Sequence, residues 1–90
     1  MRHYVYLLLS IVKNKTISYV GYTNNIEKRL KLHNSGKGAK FTRGRIWKII
    51  YFKYFKSKSK AMKEEYKFKK NRNLRSKIIN EKKNCNSLTL

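Results

Sequence analysis

Two β-prone blocks, HYVYLLLSIV (3–12) and TISYVGY (16–22), are separated by only Lys13-Asn14-Lys15. So short a polar connection supplies turn chemistry and no more, so the two blocks read as an antiparallel hairpin. Side chains alternate across a strand, so Tyr4 and Tyr6 share one face, and Tyr19 shares a face with Gly21 on the partner strand. Strand tyrosines are ordinarily core or rim. A glycine inside a strand marks a place where a ligand or another backbone comes close. Both readings stay open for these tyrosines.

After the hairpin, Asn24 or Asn25 offers a helix N-cap, and IEKRLKLH continues helically to about His33. Asn34-Ser35-Gly36 ends that helix, with Gly36 able to take positive φ. A basic, glycine-punctuated and flexible loop, GKGAKFTRGR, follows. Ile46 to Phe55 is apolar on both alternating faces, which predicts a strand covered on both sides. Ser57 or Ser59 caps a second helix over 58–70, and Asn73 to Ile79 predicts a third, with a frayed polar tail from Asn80. The order ββαβαα gives a small α/β (α+β) domain with an antiparallel sheet and flanking helices. Residues 1–80 are expected to form this single domain and 81–90 a flexible C-terminal tail. There is no internal repeat or linker.

Charge narrows the function classes. The chain carries 24 Lys and Arg against 4 acids, a net charge of +20 over 90 residues. Such a field attracts polyanions, nucleic acid above all. Abundant Lys, Asn and Ile with no proline also suit an A/T-rich genome, but codon drift does not remove acids. All four are glutamates: Glu27, Glu64, Glu65 and Glu81. The lone Cys85 excludes an internal disulfide and a cysteine-cluster zinc site. No apolar run approaches the ~20 residues of a membrane span. The N-terminal apolar run lacks a small-x-small cleavage site and contains Ser10, against a signal peptide. A cytoplasmic protein is expected (nuclear if eukaryotic), neither secreted nor membrane-bound.

On a helical projection with Ile26 at zero, Leu30 falls at about 40°, His33 at about 340° and Arg29 at about 300°. Arg29 and His33 therefore border the apolar stripe that docks on the sheet. They are either a snorkelling arginine and a satisfied core histidine, or a phosphate clamp, whose planar fork of donors matches phosphate oxygens. In the second helix, with Ala61 at zero, Met62, Tyr66 and Phe68 mark the apolar arc and Glu65, at about 40°, sits inside it. Glu64 lies at the edge beside a lysine face. An inward Glu65 holds either a structural cation, for which Lys69 is the obvious candidate, or a metal. The loop lacks the GxxxxGK[ST] spacing of a P-loop, and here the helix precedes it. Lys37, Lys40, Arg43 and Arg45 suit contacts to a nucleic-acid backbone, or else form a solvated charged loop.

Together these segments resemble the GIY-YIG nuclease family. Its two short motifs are matched by Tyr4-Val5-Tyr6 and Tyr19-Val20-Gly21. The match continues through Val5 to Leu8, Tyr19 to Thr23, Arg29 to Gly36, Gly38 to Gly44 and Ala61 to Glu65, in that order. It covers roughly residues 4 to 70. The pattern is similar to the small single-domain branch and to the nuclease domain of structure-selective junction resolvases. One departure is Tyr4, where the first motif has glycine, a position that also varies in those branches. The resemblance implies a three-stranded antiparallel sheet and phosphodiester hydrolysis with one divalent cation, Mg²⁺ or Mn²⁺. It implies Glu65 as metal ligand, Arg29 as phosphate clamp, and Tyr6 and Tyr19 as hydroxyls bordering the scissile phosphate. His33 matches a position implicated in activity. A single Mg²⁺ needs only one or two carboxylates, which suits so acid-poor a chain.

The expected mechanism uses a tyrosine, its pKa lowered by nearby cations, as acceptor of the water proton, with Tyr6 favoured over Tyr19 and His33 as a relay. The leading expectation is a metal-dependent DNA endonuclease, with RNA left open. The alternative is a catalytically inactive nucleic-acid-binding module of the same fold. A basic structural or ribosome-associated protein explains the charge but not Arg29 and Glu65. With no appended reader domain before Leu90, a stand-alone enzyme on single-stranded, branched or locally distorted DNA is expected. A protein partner or homodimer remains open.

Overall fold

The hairpin forms. In the computed structural model, β1 (His3–Val12) and β2 (Lys15–Thr23) pair antiparallel, with Tyr6 opposite Gly21 and Leu8 opposite Tyr19. The structure describes residues 2–12 and 15–89, and side chains as far as 82; Lys13 and Asn14, where a turn is expected, and the side chain of Cys85 lie outside the described residues. β3 (Lys48–Phe55) adds antiparallel to the other edge of β1, giving the strand order β2-β1-β3. The helices are α1 (Ile26–Asn34), α2 (Lys58–Lys70) and α3 (Arg72–Thr89), in the expected ββαβαα order. Among the described residues, no helix is long and apolar enough to cross a membrane.

The two-sided burial expected of the third block belongs to β1, whose residues Val5 to Ser10 are all buried. β3 begins only at Lys48, leaving Ile46 outside it, and as an edge strand it keeps Phe52 and Tyr54 57 % and 48 % exposed. Apolar periodicity shows that a segment is a strand; it does not show whether the strand sits at the centre or the edge. A register shift between Leu7 and Leu8 also sets Ile50 and Tyr51 against the same core. That is the effect of one extra residue in a ladder.

One core lies between the sheet and the two later helices: Val5, Leu7, Val20 and Phe55 pack with Ala61 and Phe68 of α2 and with Ile78 and Ile79 of α3. The opposite face buries Tyr6, Leu8 and Trp47 with Ile17, Tyr19, Leu30 and Ile49. Each large apolar side chain so enclosed contributes about 1.5–3 kcal/mol. The first helix starts at Asn25, whose side chain accepts from the Lys28 N–H at 3.1 Å, and ends before Gly36 at φ 81°. Ser57 caps α2 in the same way, accepting from Lys60 N–H.

Two helix expectations need correction. Met62 and Tyr66 are exposed, because α2 buries only Ala61 and Phe68, with Glu65 partly buried on the same narrow stripe. The third helix does not stop at Ile79 but continues to Thr89 through the segment expected as a polar tail. Residues 72–89 contain neither glycine nor proline, so no residue there interrupts the helical hydrogen bonds. Its Arg75 also caps the preceding helix, donating to Phe68 O at 3.2 Å and Lys69 O at 3.0 Å.

Candidate active site

The site is built around the phenol of Tyr6. Gly21, directly across the ladder, is where that ring comes to rest: a β-carbon on Gly21 would collide with Tyr6 Oη and Cζ. Glycine is therefore needed for space at this position. The hydroxyl of Tyr6 lies 2.8 Å from His33 Nε2, and Arg29 Nε donates to it at 3.4 Å. Both partners come from α1, one turn apart, which is the face the helical projection assigns them.

The protons in this cluster follow from counting donors. Thr42 Oγ1 has one proton, and it goes to Ala39 O at 2.9 Å. The same oxygen therefore accepts from His33 Nδ1–H, 2.8 Å away, and from Ala39 N–H. With Nδ1 carrying the proton, Nε2 of the neutral imidazole accepts from Tyr6 O–H. Burial and the Arg29 charge hold His33 below its ordinary pKa of 6.5, which keeps it neutral. Gly38 packs so closely on the ring that a β-carbon there would collide with Nδ1.

Tyr6 itself departs from the sequence expectation. Burial raises its pKa above 10.0, and this outweighs the lowering by Arg29. The phenol is a neutral donor to His33 and an acceptor from Arg29, so its cations do not ionise it. Tyr19 closes the other side, its ring 5.1 Å from that of His33 and 6.5 Å from that of Tyr6. Its hydroxyl also contributes to the hydrogen bonding that raises the pKa of Arg29, after the larger effect of Tyr6. Tyr4 stands apart, edge-on to Phe52 and Tyr54.

Glu65 is on α2. Its side chain is 15 % exposed and pairs with Lys69 at 3.5 Å, and its charge contributes to raising the pKa of Tyr6. Glu64, by contrast, pairs with Lys60 and Lys67 on the outer face. Among the described residues no group of three or more His, Cys, Asp or Glu side chains gathers as a metal cage. A single half-enclosed carboxylate does fit Mg²⁺, which keeps most of its waters and takes one or two carboxylates plus substrate phosphate.

The basic loop is pinned where flexibility is expected. Asn34 Oδ1 accepts from Trp47 N–H at 2.6 Å while its Nδ2 donates to Trp47 O, and Trp47 Nε1 donates to Thr42 O at 2.9 Å. These contacts hold a 3₁₀ turn, Lys40–Thr42, against the end of the first helix. Lys37, Lys40 and Arg43 are exposed on it, whereas Arg45 is half-buried with one guanidinium nitrogen, Nη1, enclosed without an acceptor. Thr42, Trp47, Asn34 and Gly38 have structural work at the site that their residue types alone did not announce. For Asn34, Gly38 and Thr42 the available signal is their place in the HNSG and GAKFTRG segments, at and after His33; Trp47 lies outside both.

Comparison with known proteins matches residues 2–83 to the GIY-YIG catalytic domain. The chain belongs to the GIY-YIG family. This is a family of nucleases, which supports endonuclease activity in general. The chain is 51 % identical over 69 residues to a UPF0213 protein of Oceanobacillus iheyensis, covering 76 % of this chain and 77 % of that one. It is 46 % identical over 82 residues to a UPF0213 protein of Clostridium perfringens, covering 89 % and 85 % of the two chains. A solution NMR structure of a UPF0213 protein from Bacillus halodurans is 39 % identical, covers 91 % of this chain and 86 % of its own, and superposes with a TM-score of 0.49.

Proposed function

We propose that this GIY-YIG chain is a divalent-metal-dependent endonuclease that hydrolyses phosphodiester bonds in DNA by a one-metal mechanism. The observation that carries the reading is the Tyr6 hydroxyl, held between Arg29 and the unprotonated Nε2 of a neutral, buried His33. A phenol that merely filled a core would need one partner. This one joins a cation suited to phosphate with a base able to take a proton.

As water attacks phosphorus, its proton passes to Tyr6 Oη while the phenolic proton passes to His33 Nε2. The base is then the imidazole, acting through a phenol that stays neutral, which removes the need for a lowered tyrosine pKa. Arg29 offsets the negative charge that grows on the phosphoryl oxygens, and Tyr19 borders the same cleft. Glu65 would hold the cation, with Lys69 giving up its ion pair; bound there, Mg²⁺ or Mn²⁺ supplies polarisation of a phosphate oxygen and stabilisation of the leaving oxygen. Lys37, Lys40, Arg43 and Arg45 engage flanking phosphates.

The Glu65–Lys69 pair equally suits an inactive binding module in which the carboxylate is only structural. Wild type and Glu65→Ala, incubated with Mg²⁺ or Mn²⁺ and single-stranded, hairpin, flap and duplex DNAs, separate the two. The enzyme reading expects cleavage by wild type, none by Glu65→Ala, and salt-dependent binding largely intact in both. No cleavage of any substrate, or equal cleavage by the variant, contradicts it.

A further inference from the structure

Next to the site lies an aromatic residue that the proposed reaction leaves unused. Phe41 is 60 % exposed, yet it sits on the pinned 3₁₀ turn, beside the hydrogen-bonded Thr42. Its ring lies nearly parallel to that of Tyr19, with centroids 6.1 Å apart and planes 23° from each other, and it is backed by Trp47 at 6.5 Å. A groove runs along this stack, lined by Ser18, Tyr19, Val20, Phe41, Lys69 and Arg75. Lys69 and Arg75 supply the groove's positive charge, and Lys40 and Arg43, near Phe41 in sequence, are exposed. The one acid nearby, Glu65, is already paired with Lys69.

We propose that Phe41 is a stacking platform for an unpaired nucleobase adjoining the scissile phosphate, so that the site takes single-stranded nucleic acid or an unpaired segment. A flat ring held rigidly on one side and open on the other adds a base face at little entropic cost. Within a duplex both faces of each base are covered by neighbours, so only an unpaired base can complete the Tyr19–Phe41 stack. The charged groove tracks the backbone on the same side, the combination that single-strand binders use. Of the other exposed aromatic rings, Phe52 and Tyr54 pack edge-on with Tyr4, and Tyr66 has the Lys70 ammonium over its face, 4.3 Å from the centroid, so none is backed by a parallel ring.

The proposal rests on reading the Tyr6–Arg29 cleft as a phosphate site, and binding measured without cleavage tests it separately. The probes are a short single-stranded oligodeoxynucleotide, the same strand with one abasic nucleotide moved along it, and its duplex, all with EDTA. Phe41→Ala and Phe41→Leu should each bind the single strand about tenfold more weakly, with duplex binding little changed, and Phe41→Trp should bind as wild type. At one position the abasic strand should lose about tenfold for wild type and nothing for Phe41→Ala. Equal single-strand binding by wild type and Phe41→Ala, parallel loss of single-strand and duplex binding, or identical abasic profiles would each overturn the proposal. Adding Mn²⁺ afterwards reads the nuclease reaction alone, so its absence contradicts the enzyme reading while the stacking result stands.

Discussion

In the proposed mechanism the Tyr6 hydroxyl depends on every proton around it having an assigned place, and Thr42 is the residue that assigns them. Its oxygen fixes the Nδ1–H tautomer of His33, leaving Nε2 free to accept. Thr42→Val removes that acceptor and frees the ring to place its proton on Nε2, facing Tyr6. Turnover should fall about tenfold or more, Thr42→Ser should restore it, and ring ¹⁵N spectra should show the Nδ1–H form lost only in the valine variant. The same histidine sets an acid limit. Its folded pKa lies below 6.5, so above 6.5 the ring is neutral folded or unfolded and adds no pH dependence. As pH falls from 6.5 toward the folded value, the unfolded chain binds the proton first and stability drops. Thermal melts should show this acid loss in wild type and its weakening in His33→Gln.

At the scale of elements, the site depends on how closely β1, β2 and the first helix approach one another. Gly21 and Gly38 are the two contact points, one under the Tyr6 phenol and one against the His33 ring. Gly21→Ala should cost about 1–3 kcal/mol by overpacking and displace the phenol from His33, so that cleavage falls further than the melting temperature alone explains. Chemical denaturation beside a cleavage assay checks both. The hairpin and the first two helices are legible in the chain because alternation, Asn and Ser caps and glycine stops all agree there. The extent of the third helix is not, because polar composition resembles a tail whether or not the backbone stays helical. Nor is the edge position of β3: Phe52 and Tyr54 look like core in a sequence and are surface in the fold.

Across the whole molecule, the sheet separates an apolar core under α2 and α3 from a mixed core that holds the proposed catalytic cluster. Glu65 comes from the first of these layers and its charge still contributes at Tyr6 in the second. That grouping of Tyr6, Tyr19, Arg29 and His33 could be anticipated from helical projection and from resemblance. The bond between Tyr6 and His33 could not, because the partners are 27 residues apart and nothing in residue type states which nitrogen carries the proton. For the same reason residue type does not mark Thr42, whose partner His33 is nine residues away across a glycine loop that the fold pins. A net charge of +20 points to a polyanionic ligand but does not say where, on the stacking proposal, a base would rest. In the proposed reaction a neutral Tyr6 passes the proton of the attacking water to His33. Cleavage of single-stranded DNA by Tyr6→Phe, with Mn²⁺ and a melting curve to confirm the fold, tests it most directly. A loss of about a hundredfold or more in turnover, with substrate binding retained, is the expected result; turnover at the wild-type rate would contradict it.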